Sequence, residues 1–192
     1  MRIIAGSKVR MTLLSPLDIN TRPITDRVKE SLFNILRNEL PHALVADLFC
    51  GTGSLGLEAL SRGANRVIFA DRDVENIRLL RENIAKLGFE PQCVAVRCDV
   101  LKTAVPCVVS KSNLFTLIFV DPPYKLTRDT QLDSNLGRLL VKLADQLADE
   151  GLVLVRHEKR SELLQQYATL NFQQRRQYGK MAITFLEKKS GQ

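Results

Sequence analysis

Four aspartates, a glycine loop and a proline pair carry the chemistry that this sequence could do. The segment Asp47-Leu48-Phe49-Cys50-Gly51-Thr52-Gly53-Ser54-Leu55-Gly56 has G-x-G-x-x-G spacing, with Asp47 four residues before Gly51 and Asp71 twenty residues after it. Glycines let a backbone turn sharply and lie against a ligand, and a carboxylate at that later position can hold ribose hydroxyls. Any adenosine-bearing cofactor needs both features, so charge must separate the candidates. A pyrophosphate is served by the N–H groups of a helix N-terminus, and a carboxylate at Asp47 would repel it. The sulfonium and ammonium of S-adenosylmethionine suit that carboxylate. Asp99, closing Val94-Ala95-Val96-Arg97-Cys98, is a further acceptor suited to an adenine amino group. The same acids could instead cap helices or turns. On charge, S-adenosylmethionine is favoured over NAD, and a NAD-binding oxidoreductase stays as a distant alternative.

Asp121-Pro122-Pro123-Tyr124 follows the apolar run Phe115-Thr116-Leu117-Ile118-Phe119-Val120. Two prolines remove two N–H donors and hold the chain extended. The Asp121 carboxylate and the Pro122 carbonyl are left as acceptors converging on one point. An exocyclic amine of a nucleic-acid base needs such acceptors, because its lone pair is delocalised into the ring. Hydrogen bonds accepted from the NH2 group favour the charge that develops on nitrogen as it attacks a methyl donor. Tyr124 can stack on a base drawn out of its helix or loop. Asp121 therefore reads as an orienting acceptor first and a base second. A rigid turn closing a buried strand is the other use of such a tetrapeptide; the glycine loop earlier in the chain favours the first.

Metal and nucleophile chemistry find little support. Cys50, Cys93, Cys98 and Cys107 form no C-x-x-C pair, and His42 and His157 are the only histidines. No zinc site is expected from that spacing, and Cys50 has no histidine partner in sequence.

The elements that must hold these residues are those of a parallel α/β sheet. Strands are expected at 44–49, 66–70, 92–98, 114–120 and 152–156. Ile77, Leu80, Ile84 and Leu87 recur at helical steps behind Asp73 as N-cap and ahead of Gly88 as a C′ residue. Leu132, Leu136, Leu139, Leu143 and Leu147 form a second stripe before Gly151. Segments 170–178 and 181–187, broken at Gly179-Lys180, read as an antiparallel hairpin finishing the sheet. Residues 1–40 read as an extension with a short strand at 2–5, a mobile basic loop at 7–21, and a helix over 26–38. The fold class is α/β: a Rossmann-like, doubly wound, mostly parallel sheet with an antiparallel last strand, in a single domain spanning residues 1–192.

Net charge is +7 with an isoelectric point near 9.4, which favours a polyanionic partner. Arg2, Lys8 and Arg10 precede any acidic residue, and residues 156–189 carry eight Lys and Arg against Glu158, Glu162 and Glu187. Arg2, Lys8, Arg10, Arg22, Lys125 and Arg128, with the Arg175-Arg176 pair, are candidate phosphate contacts. No apolar run reaches the roughly 18–20 residues that a membrane span needs. The opening apolar run is too short for a signal-peptide core, so a cytoplasmic protein is expected.

These residues resemble the class I S-adenosylmethionine-dependent methyltransferases, and in detail the RsmD-type bacterial 16S ribosomal RNA guanine-N2 methyltransferases. The matching pieces are Arg2–Gly6, Arg22–Glu30, Leu32–Leu36, Asp47–Ala64, Asp121–Tyr124 and Tyr178-Gly179-Lys180, from end to end of the chain. The stretch from Arg22 to Glu30 is the piece most specific to the family. The resemblance implies that Asp47, Phe49, Gly51, Thr52, Gly53, Asp71 and Asp99 hold the methyl donor, with Thr25 and Arg27 near its methionine end. Asp121, Pro122 and Tyr124 would receive the guanine of 16S rRNA, free or in a small-subunit assembly particle, in a monomeric enzyme without metal. Adenine N6 in DNA, or another RNA, is the alternative target. Two departures stand out. The Arg/Gly-rich loop usual after the opening Ile-Ala-Gly is reduced here to Lys8 and Arg10, and Asp71 replaces the commoner Glu with a shorter side chain.

Overall fold

The computed structural model describes residues 1–16, 24–106 and 114–189. Five strands run parallel in the order β3 (Cys93–Arg97), β2 (Arg66–Asp71), β1 (Leu44–Leu48), β4 (Phe115–Val120) and β5 (Leu147–Glu158). Beyond β5 the sheet turns antiparallel through β8 (Met181–Lys188), β7 (Leu170–Tyr178) and the two-residue β6 (Gln166–Tyr167). The last strand in sequence thus lies between β5 and β7, as a hairpin folded back against the parallel sheet.

The central strands are buried on both faces because helices cover both, which is why their sequences run apolar almost without alternation. One face packs Val45, Phe69, Phe119 and Phe185 against α1 (Asp26–Ile35), α2 (Ser54–Ser61) and α3 (Val74–Leu87). The other packs Ala46, Ile68, Ile118 and Val153 against Leu136, Leu139, Leu140 and Leu143 of α5 (Asn135–Ala144). The Asp73 carboxylate accepts from the Glu75 and Asn76 N–H groups, and Gly88 ends α3 with φ at +68°, both as its sequence predicts.

Two helix boundaries differ from expectation. The Ser134 hydroxyl accepts from the Gly137 N–H at 2.9 Å and starts α5 at Asn135. Leu132 therefore stands 53% exposed outside the helix, and Leu147 opens β5 instead of ending the stripe. α1 ends at Ile35, where the Leu36 cap gives way to a turn, three residues before the expected end.

The N-terminal residues differ more. Where a strand was expected at 2–5 there is a single antiparallel bridge, Arg2 to Thr12. The N–H groups of Ile4 and Ala5 go to the Glu58 carboxylate at 2.8 and 3.0 Å, so a side chain takes the donors that a ladder would have used. Nor do residues 7–14 behave as a free loop. Ser7 and Lys8 donate to Ser61, Asn83 exchanges two hydrogen bonds with Leu14, and Lys86 reaches the Thr12 carbonyl. The hairpin of residues 1–14 is fastened onto α2 and α3; residues 17–21 of the expected loop lie outside the described residues.

Candidate active site

β1 is hydrogen-bonded to β2 on one side and β4 on the other, with Leu48 opposite both Ala70 and Val120. The chain winds outward from β1 in both directions, and ligands bind at the carboxyl edge of such a switch point. Asp71 ends β2 and Asp121 follows β4 at that edge, while Asp47 of β1 lies between them and two residues back in register, opposite Phe69 and Phe119, on strands roughly 4.8 Å apart. The three acids share the face covered by α1 and α2, two residues beyond or beside Val45, Phe69 and Phe119 of that core.

Asp47 is 1% exposed and its carboxylate accepts from the Gly56 N–H at 2.8 Å. Gly56 belongs to the first turn of α2, whose opening N–H groups have no partner within the helix. That end is where a pyrophosphate would be received, and here the chain fills it with its own carboxyl group. Burial, and after it the nearby charges of Asp121 and Asp71, push the Asp47 carboxyl well above the ordinary carboxylate range, against the pull of the Gly56 hydrogen bond. Such an acid keeps its proton unless a positive charge comes beside it.

The loop itself is strained and tightly packed. Phe49, which is not glycine, holds φ at +58°, a conformation that costs of order 1–3 kcal/mol and gathers at ligand sites. Gly53 and Gly56 are required for packing: a Cβ on Gly53 would meet Leu80 at 2.4 Å, and one on Gly56 would meet Phe69 at 2.3 Å. Gly53 also has φ at +87° and its N–H closes the turn onto the Cys50 carbonyl. Gly51 differs, since nothing lies within 4 Å of where its Cβ would be. Beside it the Thr52 hydroxyl is buried with no hydrogen-bond partner among the described residues, a cost that a bound polar group would relieve. Asp71 Oδ2 accepts from the Gly51 N–H at 2.8 Å and Oδ1 from Asp73 at 2.9 Å, so this acid also shapes the loop. Asp99 takes the capping role: it accepts from the Leu101 N–H at 3.2 Å and starts the short α4 (Val100–Thr103). Burial first, then Asp47 and Asp71, drive the Cys50 thiol well above its ordinary pKa.

At the neighbouring strand end, the Asp121 N–H donates to the Leu48 carbonyl, and Pro122 is buried. Tyr124, half-buried, opens a 3-10 turn ending at Thr127, and Lys125 and Arg128 are exposed on and after it. Asp121 Oδ1 lies 2.7 Å from Arg156 Nε, with side chains 20% and 13% exposed. Burial raises the Asp121 carboxyl while Arg156 opposes the rise. Arg156 is the residue that sequence reasoning missed. Its signal was available: it follows Leu152-Val153-Leu154-Val155 as Asp121 follows Phe115–Val120, the first polar residue at the carboxyl end of a buried strand.

The remaining candidates are dispersed. Thr25 is the N-cap of α1, accepting from Val28 at 3.4 Å. Arg27 lines a groove between α1 and the end of β7. Arg2 pairs with Asp26 at 2.7 Å, and Lys8 lies over the Phe89 ring at 5.6 Å, which assigns both a part in holding the hairpin. Arg10 is exposed where that hairpin turns, with φ at +70°. Arg22 and Cys107 lie outside the described residues. Among the described residues, no group of three or more His, Cys, Asp and Glu could hold a metal ion, and no helix is long and apolar enough to cross a membrane.

The family model described as conserved hypothetical protein 95 matches residues 1–187. Ribosomal RNA small subunit methyltransferase D of Escherichia coli (strain K12) is 35% identical over 158 residues, 82% of this chain and 75% of that protein. YlbH of Bacillus subtilis (strain 168) is 32% identical over 98% of this chain and 100% of its own length. The solved structure of yhhF from Escherichia coli superposes with a TM-score of 0.80 at 29% identity, covering 100% of this chain and 99% of that one.

Proposed function

The chain belongs to the conserved hypothetical protein 95 family, and from that premise we propose that it methylates a guanine of small-subunit ribosomal RNA at the exocyclic N2, using S-adenosylmethionine. The observation that carries the cofactor class is the Asp47 carboxylate seated on the Gly56 N–H. It engages one N–H of the helix end that would receive a dinucleotide's pyrophosphate, and a buried carboxyl there suits a cationic ligand. The open side of Gly51 and the unpartnered Thr52 hydroxyl fit an adenosine-bearing ligand beside it. S-adenosylmethionine supplies an electrophilic methyl group on a sulfonium, so the protein's own task is position and electrostatics.

Asp121 does that at the base. Arg156 forms an ion pair with its Oδ1 at 2.7 Å and favours its ionised form, and we assign the carboxylate the role of accepting from the NH2 group. The Pro122 carbonyl supplies the companion acceptor, held by the proline pair, and Tyr124 stacks on the ring. We assign the chain a cytoplasmic place of action, as a monomer on 16S rRNA or on a small-subunit assembly particle. Mass mapping of ribosomal RNA from cells lacking this protein tests the reading. One guanine methyl group should be missing and should return with the wild-type gene; an unchanged map would sink the proposal.

A pH dependence follows from Asp47. Its carboxyl is raised, so below that raised value it is neutral, and a bound cation favours the charged form. Binding therefore expels a proton, and affinity for S-adenosylmethionine should increase with pH by up to about tenfold per unit through the raised range, then level off. Calorimetry in two buffers of different ionisation heat reads the proton directly. Equal heats in both, with a flat affinity, would remove Asp47 from the cationic end of the ligand.

A further inference from the structure

We propose that the groove between α1 and the end of β7 binds the RNA strand adjoining the target base through its phosphodiester backbone. The proposal deepens the functional reading above and rests on it. The groove is open, encloses about 880 Å³, and is lined by Arg27, Ser31 and Asn34 of α1 and by Arg176 and Tyr178 of β7, among others. Among the described residues, three that line it are arginines and one, Glu30, is acidic. One of the three, Arg175, donates to the Lys159 and Ser161 carbonyls and anchors the strand. Arg27 and Arg176 are exposed.

The sheet register ties this groove to the candidate active site. Val120 is opposite Val155, so Asp121 falls beside Arg156; Arg156 is opposite Ile183, and Ile183 is opposite Arg176. One row thus crosses from Asp121 to Arg176 over three strand spacings, roughly 14 Å at about 4.8 Å each. Paired residues in a sheet point to the same side, and Ile183 belongs to the core under α1, so Arg156 and Arg176 share that side. β7 runs parallel to β5, which brings its Tyr178 end to the same carboxyl edge. A strand whose base has entered at Asp121 therefore meets this cationic groove within a few nucleotides.

The groove suits a single strand of nucleic acid by its chemistry. The Tyr178 hydroxyl is 3.0 Å from Ser31 Oγ, which fixes the ring at the groove edge as a platform for a base. Among the described residues, Ile35 is the one aliphatic side chain lining it. Arginines spaced along a groove with an aromatic platform follow the pattern of sequence-tolerant single-strand binding.

The test uses full-length protein with small ribosomal subunits and 16S RNA, each purified from cells lacking it, and labelled S-adenosylmethionine. Arg176→Glu should raise KM for the RNA substrate roughly tenfold, with kcat and S-adenosylhomocysteine affinity unchanged, and flatten the dependence of kcat/KM on salt by about 0.7 in log–log slope. Arg27→Gln should raise the same KM about fourfold. An RNA KM within twofold of wild type for Arg176→Glu overturns the groove while leaving the methyltransferase reading intact. If Arg27→Gln raises KM for S-adenosylmethionine instead, its side chain serves the donor and the groove assignment fails. A wild-type protein that methylates neither substrate removes the parent reading and this one together.

Discussion

Asp121→Ala should lower kcat for methyl transfer by about 10²–10³-fold while leaving S-adenosylhomocysteine affinity within a fewfold of wild type. The estimate is that for removal of one preorganised electrostatic group from a transition state. The split between kcat and cofactor binding is the informative part, because Asp121 is assigned to the base and Asp47 to the donor. Asp121→Asn retains an acceptor oxygen but loses the charge facing Arg156, and should fall between wild type and alanine. Single-turnover methylation and calorimetry read the two quantities separately. Loss of cofactor affinity in step with kcat would mean that Asp121 holds the donor, or that the edge has collapsed. The arginine offers a second control, since its guanidinium opposes the burial that raises Asp121. Arg156→Met should move the acidic limb of kcat/KM upward in pH, because Asp121 must be ionised to act and would lose the charge that keeps it so.

Glu58→Ala should cost about 3–5 kcal/mol of stability, the largest effect expected of any single substitution at the hairpin. Glu58 is wholly buried and receives the Ile4 and Ala5 N–H groups, Arg62 at 2.8 Å and Lys29 at 3.3 Å. Removing it strands Lys29, 1% exposed, as an uncompensated charge, and leaves two backbone donors without partners. Burial already lowers the Lys29 pKa, and Glu58 is the main influence opposing that. Urea unfolding measures the loss. Adding Lys29→Met should recover part of it, since the stranded charge goes but the backbone donors stay unmet. A Glu58→Ala protein within 1 kcal/mol of wild type would show that water reaches Lys29 and that the hub is not closed. Because the hub holds the N-terminal hairpin to α2, and Lys29 also reaches Ser54 at the start of that helix at 3.3 Å, its loss should loosen the glycine loop as well.

The sequence by itself determined the parallel strands, the α3 caps, the glycine loop, and the meeting of Asp47 and Asp71 with Asp121. Each of these rests on local rules: apolar runs for strands buried on both faces, Asp and Gly at helix ends, acids placed just within or after such runs. Other matters depended on which surfaces come into contact. That residues 7–14 are fastened down, and that Ile4 and Ala5 give their donors to Glu58, follows from helices far away in sequence. That Gly53 and Gly56 serve packing while Gly51 faces open space, and that Arg156 stands against Asp121, were likewise decided in three dimensions. The physical reason is one of range. Backbone propensity and periodicity act within a few residues and leave their mark in the sequence, whereas a carboxylate's partner is fixed by the sheet register that sets β5 beside β4, with Arg156 35 residues after Asp121.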